Sequence, residues 1–119
     1  MDAHELARNA ANAALDKKAE DITIFDLRET SSIADFFVIC TGHTDIHVKA
    51  IYKEVREQLL EMGARPFHKE GVPQGRWILL DYSDVIIHIF QPEVREFYGL
   101  ERLWGDAESE VIKDEEVEA

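Results

Sequence analysis

Between Trp77 and Phe90 an indole, a carboxylate and an imidazole stand close together in the chain: Trp77, Asp81 and His88. Two β-rich runs, Trp77 to Tyr82 and Val85 to Phe90, flank Ser83-Asp84, a spacing that predicts a two-residue hairpin. Counting back from the turn pairs Tyr82 with Val85, Asp81 with Ile86, Leu80 with Ile87, Leu79 with His88, Ile78 with Ile89 and Trp77 with Phe90. Side chains alternate along a strand, so Ile78, Leu80, Tyr82, Val85, Ile87 and Ile89 share one face, and that face reads as core. The other carries Trp77, Leu79, Asp81, Ile86, His88 and Phe90. Large apolar groups beside a carboxylate and an imidazole are costly to bury unpaired, and such a mixture is typical of a patch that another protein covers. Trp77 is expected to anchor it, since Trp dominates binding energy at many interfaces.

Catalytic alternatives are weaker. His88 has no second His or Cys at metal-site spacing, and His43 and His47, at the start of one helix, lack a nearby third ligand. Asp81 and Asp84 lie on opposite sides of a turn, where Asp84 is more simply a turn residue. Asp81 is preferred as a docking acceptor for Lys or Arg. No Gly-rich phosphate loop and no Gly-x-Ser-x-Gly nucleophile turn occurs. No catalytic residue, metal or cofactor is therefore assigned.

The elements that must hold this hairpin are legible on either side of it. Asp2 and Glu5 form a helix-start box, followed by Ala3, Leu6, Ala7, Ala10, Ala13 and Ala14 at helical spacing. Ile22 to Leu27 reads as a strand. Phe36 to Thr41 is apolar on both alternating faces, as an interior strand covered on both sides requires. After Gly42, Thr44 or Asp45 can cap a helix whose stripe is Val48, Ile51, Tyr52, Val55, Leu59 and Met62, with Gly63 as its left-handed end. A short strand around Arg65 to His68 precedes a loop, Lys69 to Gly75, expected to be mobile. Pro92 opens a short helix through Tyr98, Gly99 ends it, and Leu100, Leu103 and Trp104 form an apolar turn. Trp104 suits a structural staple as well as an interface.

The chain has 119 residues, enough for one domain and one core. Residues 1–105 are expected to form that domain. Residues 106–119, acidic and poor in apolar groups, are expected to be a disordered tail. The single cysteine, Cys40, permits no intramolecular disulfide. No basic-then-apolar leader and no apolar stretch near the ~20 residues of a membrane span is present, so a cytoplasmic location is expected. Thirteen Lys and Arg against 25 Asp and Glu give a net charge of -12. That repels phosphate at long range and favours a basic protein over RNA as partner, with little direct RNA contact.

The stretches Ser31 to Gly42, Glu70-Gly71, Trp77 to Phe90 and Arg95 to Trp104, in that order, resemble the Iojap-like ribosomal silencing factor family (RsfS). The resemblance implies a single-domain α/β fold, with a mixed β-sheet of about five strands packed by helices, nucleotidyltransferase-like. It implies binding to large-subunit ribosomal protein L fourteen, steric block of ribosomal subunit association, and repressed translation under nutrient limitation. The partner-binding residues expected on this reading are Trp77, Leu79, Asp81, His88, Phe90, Glu70, Tyr98, Glu101 and Trp104, and the same face is expected to support a homodimer when the protein is free. Two positions depart from the family pattern: Ser83 stands where Gly is more frequent, and Phe36 where Tyr is common. The enzyme alternative suggested by the fold is a metal-dependent nucleotidyl transferase, which commonly needs Asp-x-Asp after a Gly-Ser turn. Here Gly42 is followed by His43, and no Asp-x-Asp occurs.

Overall fold

The computed structural model describes residues 1–113, which form three layers: two helices, a six-stranded mixed sheet, and a short helical segment on the sheet's far side. The first layer begins with α1 (Ala3–Asp16), capped by Asp2, whose carboxylate accepts the Glu5 amide at 2.8 Å. Its inner face is Ala7, Ala10, Ala11, Ala13 and Ala14, all buried. Methyl groups alone let this helix approach both the sheet and its neighbour α2 (Asp45–Glu61) closely. Thr44 caps α2 by accepting the His47 amide at 3.0 Å, and Gly63, at φ 90°, turns the chain out of it. The buried residues of α2 are Val48, Ile51, Tyr52, Val55 and Leu59, the predicted stripe without Met62. Gly42 is needed just before it, because a Cβ there would press on Val48 and Ile51.

The strands are β1 (Glu20–Asp26), β2 (Phe36–Thr41), β3 (His68–Glu70), β4 (Trp77–Asp81), β5 (Val85–Phe90) and β6 (Glu108–Ile112). Their order is β3-β4-β5-β2-β1-β6, with β2 and β5 parallel and every other pair antiparallel. β2 is buried throughout, Phe36, Val38 and Cys40 facing α1 and α2 while Phe37 and Ile39 face the opposite layer. That is the interior strand its sequence predicts. Cys40 is fully enclosed, and burial pushes its thiol up to about 12, so it packs as an inert apolar group. The opposite layer is α3 (Pro92–Tyr98) and a 3-10 helix, Leu100–Trp104, joined at the left-handed Gly99.

Two expectations need correction. β3 falls at His68–Glu70 and not around Arg65 to His68, so Lys69 and Glu70 belong to a strand, not to the loop. The acidic segment after Asp106 is also not uniformly a tail: Glu108–Ile112 is β6, antiparallel to β1 from Ile22↔Ile112 to Asp26↔Glu108. Composition hid this because one of its acidic residues, Glu110, finds partners on α1. Glu110 meets Arg8 and, at 3.4 Å, His4 on α1, while Ile112 packs against the main core. β6 thereby closes an edge of β1 that would otherwise present unpaired amides and carbonyls. Residues 114–119 of the expected tail lie outside the described residues.

Candidate functional site

The hairpin register is the predicted one: Trp77↔Phe90, Ile78↔Ile89, Leu79↔His88, Leu80↔Ile87 and Asp81↔Ile86. Its tip is tight. The Tyr82 amide donates to the Val85 carbonyl at 2.9 Å, and the Asp84 amide donates back to the Tyr82 carbonyl at 3.0 Å. Ser83 between them is held at φ 74°, and Asp81 Oδ1 accepts its amide at 2.7 Å, which supports the strained residue. Asp81 thus has a structural duty, with one carboxylate oxygen engaged in the turn.

The two faces divide as their residue types predict. Ile78, Leu80, Tyr82, Val85, Ile87 and Ile89 join the core under α1 and α2. The other face is only partly roofed. Val94, Leu100, Trp104 and Ala107 cover the portion formed by Phe25, Phe37, Ile39 and Phe90, while Trp77 and Leu79, out on β4, remain half-buried. His88 and Phe90, both expected to touch a partner, are instead enclosed at 4% and 1% exposure. They lie on inner strand β5, under the second layer, and act as the floor of the patch.

What His88 does from there is orient the indole. Trp77 Nε1 donates to His88 Nδ1 at 3.0 Å, a geometry in which a neutral imidazole carries its own proton on Nε2. That Nε2 is buried with no partner among the described residues. The ring sits 4.9 Å from Phe37 and nearly parallel to Phe90 at 5.7 Å, and burial pushes its pKa down to about 4. Trp77 is also flanked by Phe90 at 4.8 Å and Tyr98 at 4.9 Å. With Tyr98 56% exposed, the outward surface is Trp77, Leu79 and Tyr98, bordered by half-buried Asp81 and exposed Glu70.

The other expected contacts resolve differently. Trp104 is half-buried and edge-on to Phe37 at 5.8 Å, the position of a staple that fastens the second layer to the sheet. Glu101 is a bidentate partner of Arg95, at 2.8 and 3.2 Å, and its side chain stays 39% exposed. Arg95 was not singled out from the sequence. Its Nη1 donates to the Asp21 carbonyl and to Thr41 Oγ1, both at 2.8 Å, so one nearly buried guanidinium ties α3 and the 3-10 helix to β1 and β2. Gly71 was also missed. At φ 80°, a Cβ on it would fall onto the carbonyl oxygen of Trp77, so glycine alone lets the β3–β4 connection pass beside the anchor.

The face thus presents one Trp whose direction is set by His88, Phe90 and Tyr98. Over residues 1–119 the chain matches the family described as "Ribosomal silencing factor during starvation". It belongs to that family. Ribosomal silencing factor RsfS of Bacillus subtilis is 42% identical over 107 residues, spanning 90% of this chain and 91% of that one. RsfS of Halalkalibacterium halodurans is 43% identical over 107 residues, covering 90% and 92%. A crystal structure of a Chromobacterium violaceum protein superposes with a TM-score of 0.86 at 34% identity, covering 88% of each chain.

A recess in this chain lies away from the Trp77 face. About 470 Å³ lies at the end of the sheet among Thr41, His43, Arg95 and Glu96. Two of its groups are already engaged: Arg95 as above, and His43 Nε2 with the Glu20 carboxylate. His47 is saturated too, Nδ1 accepting the His43 amide at 3.0 Å and Nε2 lying 2.7 Å from the Lys17 carbonyl. Among the described residues no three His, Cys, Asp or Glu side chains converge as metal ligands. No helix among them is long and apolar enough to cross a membrane.

Proposed function

We propose that this chain silences translation in the cytoplasm by docking on ribosomal protein L fourteen of the large subunit, where its bulk blocks joining of the small subunit. The relatives named ribosomal silencing factors lend the role, and the observation that carries the mechanism is the state of Trp77. It is half-buried, bonded to a buried imidazole and held between Phe90 and Tyr98. An anchor fixed in one rotamer before contact loses little conformational freedom on binding, which is how a small patch gains affinity. Leu79 and Tyr98 extend the apolar contact. Asp81 and Glu70 at its margin, together with the net charge of -12, favour approach to a basic protein.

Occlusion requires no reaction. A footprint on the order of 1,200–2,000 Å² in total holds the protein where the other subunit must pass. In the absence of ribosomes the same face pairs with a second copy, a contact that L fourteen displaces.

The test is the dissociation constant of Trp77→Ala for purified ribosomal protein L fourteen, with circular dichroism to verify the fold. A loss of at least about 2 kcal/mol is expected, the usual size for a central Trp. An unchanged constant removes Trp77 from the site. Sucrose-gradient sedimentation supplies the second arm: the protein should travel with free large subunits and be absent from joined ribosomes.

A further inference from the structure

The net charge is an average, and one corner of the surface departs from it. Where α2 ends and β3 begins, Arg56, Leu60, Arg65, Phe67 and Lys69 line a recess of about 370 Å³. Its lining has three cations, Arg56, Arg65 and Lys69, and no carboxylate. None of the three is ion-paired with a described residue, whereas Arg8, Arg28 and Arg95 each are. Phe67 stands among them 80% exposed, the highest fraction of any large apolar side chain described, and Leu60 beside it is 42% exposed.

The recess is separate from the Trp77 face. In the β3–β4 register His68 pairs with Asp81 and Lys69 with Leu80. Opposed residues share a face, so Lys69 points with Leu80 to the α2 side, away from Trp77, Leu79 and Asp81. Both surfaces can be occupied at once.

We propose that this corner binds single-stranded RNA, with an unstacked base on the Phe67 ring and its flanking phosphates on Arg56, Arg65 and Lys69. An aromatic platform rimmed by cations holds single strands without reading their sequence, because every base has a π face and every nucleotide a phosphate. An acidic peptide would satisfy the cations but give the ring no stacking partner. RNA uses all four side chains. The inference rests on the docking reading for the source of the RNA, since a protein seated on a ribosomal subunit lies beside it. Docking then also raises the local concentration against the repulsion of an acidic chain.

Fluorescence anisotropy of the full chain tests this, with a labelled single-stranded oligouridylate, a duplex RNA and a labelled polyglutamate peptide as probes. Saturable binding of the single strand is expected, weakening about tenfold from roughly 50 to 150 mM salt as three neutralised phosphates require. Phe67→Ala should weaken it about tenfold more, as loss of one stacked base does. Arg65→Gln with Lys69→Gln should weaken it and flatten the salt dependence. Phe67 is too exposed for its removal to unfold the domain, which circular dichroism checks. No saturable binding, tighter binding of polyglutamate or duplex, or indifference to these substitutions overturns the proposal. Trp77→Ala should leave oligouridylate binding unchanged. Failure of L fourteen binding with RNA binding intact therefore sinks the docking reading alone, and the reverse result sinks this one alone.

Discussion

His88 makes the stability of this domain, and with it the setting of Trp77, depend on pH in a calculable way. Its pKa lies near 4 in the folded chain because burial disfavours the imidazolium, whereas an unfolded His titrates at about 6.5. The folded state therefore holds fewer protons than the unfolded one between those values. Stability is fully present above about pH 6.5 and declines as pH falls towards 4. From about pH 7 to about pH 5 this single group removes roughly 2 kcal/mol, at 1.36 kcal/mol per unit of divergence. Protonation also places a hydrogen on Nδ1, the atom that accepts the indole N–H, so the anchor is released in the same step. The perturbation is His88→Gln, which keeps an acceptor for Trp77 and cannot titrate in this range. Urea unfolding of both proteins across this pH range gives the difference of slopes, in which the other titrating groups cancel. The wild type should lose about 2 kcal/mol more than the variant on going to about pH 5. Parallel pH profiles would refute the reasoning, because a buried neutral imidazole cannot be indifferent to acid.

Three further substitutions test the parts that hold the face. Ser83→Gly should stabilise by about 0.5 kcal/mol in urea unfolding, since a left-handed non-Gly residue costs about 1–2 kcal/mol and the added freedom of the unfolded glycine returns about half. Gly71→Ala should cost more than about 2 kcal/mol, combining a positive-φ penalty with a clash on the Trp77 carbonyl. The same variant should bind L fourteen more weakly, whereas a change at a solvent loop would alter neither measurement. Removing residues 106–119, harmless if that segment were only a tail, should lower the melting temperature because it strips β6 from β1. Ile112→Ala alone should cost about 1–2 kcal/mol, half of a fully buried deletion.

The hairpin was readable because its information is local. Period-two alternation and a two-residue turn determine register, and register determines which side chains share a face. The family-like stretch from Arg95 to Trp104 was visible as a motif but not as a clamp. Its meaning depends on Arg95 reaching Thr41 and the Asp21 carbonyl, contacts between segments more than 50 residues apart that no local pattern encodes. That clamp fastens the second layer to a sheet face on which Phe90 and His88 are buried while Trp77 and Leu79 stay half-buried. β6 escaped for a related reason: composition reports the charge of a segment, and whether Glu110 has Arg8 and His4 opposite it is a property of the fold. The mixture on the hairpin's second face marks a patch with two depths. Its polar member went under cover and its aromatic member stayed at the rim, joined by one hydrogen bond. Burying an imidazole with Nε2 unpartnered costs stability that Phe or Leu at position 88 would not, and neither could accept from the indole. The polar residue at that buried place is therefore accounted for by the direction in which Trp77 points.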